Sequence, residues 1–186
     1  MHIPHYIVIA GSTRQNRRSP AIAQWVAGLG EQVAGAPFRV IDLRELGLQL
    51  DDEAGIPALH GYERETTRAW GDIVAGARGV VIVAPQYNWG YPAALKNAID
   101  HLYGEWDGKP LLIVSYGGHG GTHCAAQLRT VLGSVGARLI EATPGLMLAR
   151  ERVAANDGQI DPAHDFAGQT EEVLAALGEL VAVAAG

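Results

Sequence analysis

The sequence predicts a doubly wound α/β protein, with a parallel β-sheet and helices packed on both of its faces. Short apolar runs alternate with segments of helical periodicity along the chain, which is the pattern of such folds. The runs are continuously apolar, as expected for strands that are buried on both faces. Polar or glycine-rich loops follow the first, third and fourth runs. These loops become neighbours when five parallel strands lie in the order 2-1-3-4-5, and we predict that order.

In the first half of the chain, apolar runs and helix signals alternate. Tyr6–Ala10 is a continuous apolar run that ends at Gly11 and predicts the first strand. Ser19 is suited to cap the helix that follows, and Pro20 suits its first turn. The other predicted elements are the rest of this helix up to Gly35, a strand over Phe38–Leu43, an irregular excursion over 44–61, and a helix from about Tyr62 to Ala77.

The second half continues the same alternation. Val80–Val83 predicts a strand that stops at Pro85, because proline cannot donate to a sheet ladder. Pro92 is placed to begin a helix that runs to about Tyr103. The other predicted elements are a strand over Leu111–Val114, a helix from about Thr122 to Leu132, a strand over Arg138–Glu141, and a closing helix from about Phe166 to Val183, with no clear pattern over 144–161.

Length and composition predict one globular domain over residues 1–186. The net charge of -6 argues against a nucleic-acid-binding protein, which is usually basic. A single cysteine excludes an internal disulfide and fits a reducing compartment. Met1–His5 lacks the basic and apolar segments of a secretion signal, and the apolar run over 173–186 is too short to span a membrane. We therefore expect a cytoplasmic protein without a membrane partner.

The first loop has the residues of an anion site. It leads from the first strand to the start of a helix, where free N–H groups and the helix dipole favour phosphate. Ser12 and Ser19 offer hydroxyl donors, and Arg14 and Arg17 offer forked guanidinium groups. The loop has neither the P-loop pattern nor Gly-x-Gly-x-x-Gly, so a terminal monophosphate fits best. The alternative is a solvated helix entry with surface arginines, and we interpret Arg18 as a surface charge.

The third and fourth loops are suited to a flat ligand. The third loop offers Gln86, Tyr87, Asn88 and Trp89, which combine aromatic surface with amide polarity. The fourth loop, over 115–121, is rich in glycine and lets the backbone approach a planar group closely. The alternative for the third loop is that its two aromatic side chains pack in the core or at an interface.

Two other kinds of site have weaker support. His119, His123 and Cys124 lack a fourth residue at a spacing that completes a metal site, so we predict no metal. Cys124 lacks the neighbours that would orient a nucleophile and is interpreted as a small helix residue.

Three segments resemble the NADPH-dependent FMN reductase family: Gly11–Arg14, Pro85–Asp100 and Ser115–Gly118. The resemblance covers Tyr6 to about Ile140 and implies a flavodoxin-like fold that binds FMN noncovalently. It places the phosphate at Ser12, Arg14, Arg17 and Ser19, the isoalloxazine along Pro85, Gln86, Tyr87, Asn88 and Trp89, and the far side of the ring at Ser115, Gly117 and Gly118. Many members carry Glu where this chain has Gln86, and serine where it has Arg17.

The resemblance implies an NAD(P)H oxidoreductase in which hydride passes to the flavin N5 and then to a quinone, free flavin or similar acceptor. The cofactor carries the chemistry, so no catalytic side chain is expected. Backbone N–H groups at 87–88 and 117–118 are candidates to stabilise negative charge on the flavin. Trp89, Tyr91 and His119 are candidates to line its open face.

Several alternatives stay open. A flavodoxin-like electron carrier would bind FMN without turning over nicotinamide, and a binding module without flavin would use the same sheet edge for another phosphate ligand. The preference between NADH and NADPH and the nature of the acceptor also stay open. Members of the family are commonly homodimers or homotetramers. The helix after Pro92 offers a contact surface for this through Ile99, Leu102, Tyr103 and Trp106.

Overall fold

The computed structural model describes residues 4–186, so residues 1–3 of the N-terminal segment lie outside the described part. Its central sheet is parallel and has the order β2-β1-β3-β4-β5, which confirms the predicted order. The strands are β1 (Tyr6–Ala10), β2 (Phe38–Asp42), β3 (Val80–Pro85), β4 (Pro110–Gly117), β5 (Arg138–Leu139) and β6 (Gly145–Met147).

Helices flank the sheet on both faces, as predicted. They are α1 (Ser19–Ala34), α2 (Leu43–Leu46), α3 (Glu65–Gly76), α4 (Ala93–Asp100), α5 (Thr122–Ser134), α6 (Arg150–Ala155), α7 (Pro162–Asp165) and α8 (Thr170–Ala185). The closing helix begins at Thr170 rather than Phe166, because α7 and a 3₁₀ turn over Ala167–Gln169 precede it. No helix among these is long and apolar enough to cross a membrane.

Strand residues alternate between two apolar clusters, one on each face of the sheet. Val8 packs with α1 and α8, whereas its neighbours Ile7 and Ile9 pack with α3, α4 and α5. The second cluster contains Trp70 and Trp106, which are fully buried and meet edge to face. Helices cover both faces of the strands, and this explains why the strand sequences are continuously apolar. Polar residues occur where the strands end.

The far edge of the sheet is divided between two short strands. β5 pairs with Pro110 and Leu111 at the start of β4, and β6 pairs with Ser115–Gly117 at its end. β6 lies in the segment for which the sequence showed no clear pattern, since three residues are too few to display a period. It leads directly to α6, which it places beside the first loop.

The predicted contact surface after Pro92 is wrong for three of its four residues. Ile99, Leu102 and Trp106 are at most 2% exposed and belong to the core on the α4 side of the sheet. Of the four, only Tyr103 is exposed. The apolar period that suggested a contact surface is the period of a helix packed on its own sheet.

Candidate functional site

Three loops meet at the carboxyl edge of the sheet and form a cleft. They follow β1, β3 and β4, as predicted, because these strands are adjacent and parallel. The cleft encloses about 200 Å³. The predicted site residues that line it are Arg14, Arg17, Pro85, Gln86, Tyr87, Gly117 and Gly118.

Two serine–tyrosine pairs join the first loop to the other two. The Ser12 hydroxyl lies 2.6 Å from the hydroxyl of Tyr87, and the Ser19 hydroxyl lies 2.7 Å from that of Tyr116. Both serines are buried and neither lines the cleft, whereas both tyrosines do. Each pair holds two hydroxyl hydrogens and uses one internally, and where the serine is the donor the tyrosine O–H is left for a ligand. Burial raises the pKa of Tyr116, which keeps this hydroxyl protonated.

Ser19 does not cap α1, in contrast to the prediction. It is the first residue of the helix, the cap position is Arg18, and no side chain caps this end of α1. The hydroxyl of Ser19 is used on Tyr116 instead. The first N–H groups of α1 therefore lack the side-chain acceptor that the sequence suggested.

The arginines of the first loop give the cleft its positive charge. The guanidinium carbon of Arg14 lies 3.5 Å from the centre of the Tyr87 ring. Arg17 pairs with Asp42 at 2.7 Å and lies 3.7 Å from Glu45. Its Nε is buried and has no hydrogen-bond partner among the described residues. A buried, unpaired N–H beside the cleft favours a negatively charged acceptor supplied from outside the protein.

Arg18 is not the surface charge that the sequence suggested. It is 8% exposed, and its guanidinium donates to the carbonyls of Arg152 and Gln159 and pairs with Asp157 at 3.3 Å. All three partners lie in the segment for which the sequence showed no pattern, so the interaction was not visible there.

The third loop is a tight hairpin turn. Tyr87 and Gly90 exchange two backbone hydrogen bonds of 2.8 and 2.9 Å, and both central residues, Asn88 and Trp89, have positive φ. This is the pattern of a type I′ turn, which is strained for a tryptophan. The Tyr87 N–H is used within the turn, so it is unavailable to a ligand. The N–H groups of Asn88 and Trp89 have no partner within residues 4–186.

Trp89 stands at the rim of the cleft rather than in its lining. Its indole is 67% exposed and stacks on the ring of His123 at 4.0 Å. Gln127 donates to the Trp89 carbonyl at 3.1 Å, which holds the turn against α5. Tyr91 is partly buried against the core, and His119 is exposed.

The glycines of the fourth loop have different tasks. A Cβ at Gly121 would lie 2.8 Å from the Cβ of Ser115, and a Cβ at Gly120 would lie 3.0 Å from the Gly145 carbonyl. Ser115 is buried and donates to the Gly120 carbonyl at 2.7 Å, so it shapes the loop and does not line the cleft. Gly118 lines the cleft and has open space around it. It is therefore the glycine that permits close approach of a ligand.

Gln86 holds the start of α5. Its Oε1 accepts hydrogen bonds from the N–H groups of His123 at 3.1 Å and Cys124 at 3.3 Å. These are orphan donors at a helix N-terminus, and a carboxylate oxygen could accept them equally well. This shared role explains how glutamine and glutamate can occupy the same position.

We expect Gln86→Glu to unfold at a temperature equal to or above that of the unchanged protein at pH 7, since the helix dipole favours a carboxylate there. Gln86→Leu should lose about 1–2 kcal/mol of unfolding free energy, because two helix N–H groups lose their acceptor. Thermal unfolding of both variants measures this. Equal losses for the two variants would contradict the capping role.

The histidine and cysteine residues after the fourth strand do not converge. His123 stacks on Trp89, and Cys124 is fully buried in the core. Burial raises the pKa of the Cys124 thiol to about 12, so it is not a thiolate at neutral pH. Within residues 4–186, no three His, Cys, Asp or Glu side chains are grouped to hold a metal ion.

Asn16 and Arg18 of the first loop line the cleft although neither was among the predicted site residues, and the same holds for four residues further along the chain: Tyr116, Leu148, Val153 and Asn156. Tyr116 follows the predicted fourth strand directly, so its position at the sheet edge was a usable signal. The other three lie in and around β6 and α6, for which no signal was available.

Comparison with known proteins shows which family this chain is similar to. The family model for NADPH-dependent FMN reductase matches residues 4–147. An NAD(P)H-dependent FMN reductase of Schizosaccharomyces pombe is 47% identical over 178 residues, which cover 95% of this chain and 88% of that protein. A quinone reductase of Escherichia coli K12 is 33% identical over 135 residues, or 68% of each chain.

The fold has solved counterparts. The flavoenzyme NAD(P)H:(acceptor) oxidoreductase FerB of Paracoccus denitrificans superimposes with a TM-score of 0.64 over 94% of this chain and 97% of that one, at 22% identity. The sheet order and this superposition define a flavodoxin-like α/β fold, and the sequence relatives given above are named as reductases. The chain belongs to the NADPH-dependent FMN reductase family.

Proposed function

We propose that the cleft binds FMN and that the protein passes hydride from NAD(P)H through this cofactor to a quinone or similar acceptor. The observation that carries the proposal is the meeting of three loops at one cleft. A buried arginine N–H at one end and backbone N–H groups beside the other have no partner within residues 4–186. When bound, FMN supplies the redox chemistry, since its ring system takes hydride from a nicotinamide and gives electrons to an acceptor.

The arginine end of the cleft receives the phosphate. Arg14 and Arg17 provide two permanent positive charges, and Arg17 has its Nε free for an oxygen acceptor. Ser12 and Ser19 act through their tyrosine partners, which fix the direction of the remaining hydroxyl hydrogens. These residues bind and orient the cofactor and take no part in proton transfer.

The other end holds the ring system. Pro85, Gln86 and Tyr87 line it beside Gly117 and Gly118, at the ends of the paired strands β3 and β4. The N–H groups of Asn88 and Trp89 extend from the same loop and are free to donate to the edge of the ring. Ser115 contributes indirectly by fixing the glycine loop.

A quinone-type acceptor is favoured by the relatives, since an E. coli relative is named a quinone reductase and a Burkholderia relative a 2-hydroxy-1,4-benzoquinone reductase. We propose on this basis that a quinone-type compound is the acceptor that this protein reduces. An electron carrier without nicotinamide turnover is not favoured, because the curated relatives are named as reductases.

Two measurements test the proposed function. Purified protein should bind FMN with retention of its yellow absorbance, and the loaded protein should oxidise NADPH steadily when a benzoquinone is added. FMN binding with no quinone-dependent NADPH oxidation would favour the carrier. A protein whose spectrum and stability are unchanged by added FMN would contradict the cofactor assignment.

We also propose that two or more copies associate. The excursion before α3 exposes Leu50, Ile56 and Leu59, and Tyr103 is exposed next to Glu105, which binds Tyr62 at the end of the excursion. The alternating charges around these residues, with Arg64 paired to Asp52, suit a self-complementary contact between like chains. Sedimentation equilibrium at micromolar concentration should show a dimer or tetramer, and a monomer would contradict the proposal.

A cytoplasmic location remains part of the proposal. It is supported by the single cysteine, which excludes an internal disulfide and is buried.

A further inference from the structure

The segment from Leu148 to Gln159 forms a wall of the cleft, and only its first residue, Leu148, belongs to the core. Leu148, Val153 and Asn156 line the cleft. Nevertheless, α6 contributes no buried residue. Helices in globular proteins usually owe their stability to an apolar face packed on the core. This segment must therefore be held by other interactions.

Apart from the ion pair of Arg152 with Asp165 at 3.3 Å, the largest set of these interactions comes from Arg18. Its Nε donates to the Gln159 carbonyl at 3.2 Å, and its Nη2 donates to the Arg152 carbonyl and to the Asp157 carboxylate at 3.3 Å. The three acceptors lie on both sides of the turn at Asn156, so one planar guanidinium ties together the beginning and the end of the segment. Because Arg18 directly precedes α1, it connects the segment to the first loop.

Asn16 of the first loop makes a second, smaller contact with the segment. The side-chain amide of Asn16 donates to the Asn156 carbonyl at 2.9 Å. Gly158 has a φ of +77°, and a Cβ there would lie 3.2 Å from the Asn16 backbone. The segment therefore lies directly against the loop that carries the cationic side chains.

Val153 indicates that the wall faces a ligand. It lines the cleft, and yet 48% of its surface is exposed. An apolar side chain over a cleft can bury this surface only when the cleft is occupied. The wall can therefore bury apolar surface on a bound ligand, and without Arg18 it keeps only the Asn16 contact and the ion pair of Arg152 with Asp165 as polar side-chain links to the rest of the described residues.

We propose that Arg18 is a positioning residue that holds the segment 148–159 closed over the phosphate end of the cleft and thereby sets the rate at which FMN leaves. The proposal rests on the proposed function. Losing the Arg18 contacts frees the segment while leaving the sheet and its helices intact, because none of the α6 residues is buried. Bound FMN then loses one side of its enclosure, which acts on the dissociation rate.

The test compares Arg18→Gln with Arg150→Gln. Both variants remove one positive charge, but Arg18 lines the cleft, whereas Arg150 does not, is exposed and makes no side-chain hydrogen bond or ion pair among the described residues. A third variant, Arg18→Lys, keeps the charge in the cleft lining and so separates the loss of charge from the loss of the contacts. The rate at which FMN dissociates is measured by stopped-flow fluorescence, with an excess of a second FMN-binding apoprotein added to capture the released FMN. Arg18→Gln should release FMN at least roughly tenfold faster than the unchanged protein, which is the effect expected when a buried, charged hydrogen-bonding partner is lost. Arg150→Gln should release FMN at the rate of the unchanged protein.

Tryptic cleavage after Arg152 supplies a readout that needs no cofactor. Cleavage should be faster in Arg18→Gln than in the unchanged protein. Added FMN should slow the cleavage of Arg18→Gln less than it slows the cleavage of the unchanged protein. Arg18→Lys keeps the charge but cannot reach three acceptors, so it should also release FMN faster. Gly158→Val, which pushes the segment away from Asn16, should do the same if Arg18→Gln fails to fold.

Three outcomes would overturn the proposal: unchanged FMN release in Arg18→Gln, full restoration by Arg18→Lys, or unchanged cleavage after Arg152. The first two would mean that the segment does not retain FMN or that the charge alone matters. If the unchanged protein binds no FMN, the proposed function fails, whereas the cleavage rates still decide whether Arg18 holds the segment.

Discussion

Gly121→Ala is expected to lose roughly 2–4 kcal/mol of unfolding free energy, through left-handed backbone strain and overpacking together. The φ of Gly121 is +76°, and an added Cβ would lie 2.8 Å from the Cβ of Ser115 and 2.9 Å from the Tyr116 nitrogen. Neither neighbour can move, because Ser115 and Tyr116 belong to β4, which is paired with β3 on one side and β6 on the other. The loss of unfolding free energy is measured by urea unfolding, in which the dependence of the free energy on urea concentration should be the same for both proteins.

Gly118→Ala is the matched control in the same loop. No heavy atom lies within 4 Å of a Cβ at Gly118, so its unfolding free energy should stay within about 0.5 kcal/mol of the original. FMN should nevertheless bind more weakly to this variant, because Gly118 lines the cleft. Equal losses of unfolding free energy in the two variants would contradict the different roles of the two glycines, close packing at Gly121 and ligand approach at Gly118.

Arg17→Gln is expected to weaken FMN binding roughly 10- to 100-fold, the effect of losing a hydrogen bond to a charged group. The buried Nε of Arg17 has no partner in the described residues, and the cleft brings it to the phosphate end. Riboflavin lacks the phosphate, so its affinity should change far less. Fluorescence titration with both flavins separates the phosphate contact from a general effect on the cleft.

Asp42→Asn is the control for the ion pair that Arg17→Gln also breaks. Asp42 binds the Arg17 guanidinium at 2.7 Å through one oxygen and accepts the Arg44 N–H at 3.0 Å through the other. Asparagine keeps the second contact and frees Arg17 from a competing carboxylate. FMN should therefore bind as tightly as before, or more tightly. Weakening equal to that of Arg17→Gln would mean that the pair, and not the phosphate contact, matters.

The strand order and the place of the cleft could be predicted because they depend on short-range patterns. Continuous apolar runs mark buried parallel strands, and the loops after β1, β3 and β4 carry the polar residues of the site. The role of Gln86 could not be predicted in the same way. Its partners, the N–H groups of His123 and Cys124, lie on a different helix, and only the pairing of β3 with β4 brings them within reach.

The sequence by itself determined the sheet, the three loops and the chemical character of the cleft, since each depends on residues that are close along the chain. Only the tertiary structure decided how individual side chains are used. Ser19 was expected as a cap and binds Tyr116, and Arg18 was expected at the surface and binds a segment more than a hundred residues later. The physical reason is that a buried donor must find its acceptor in space, wherever along the chain that acceptor lies.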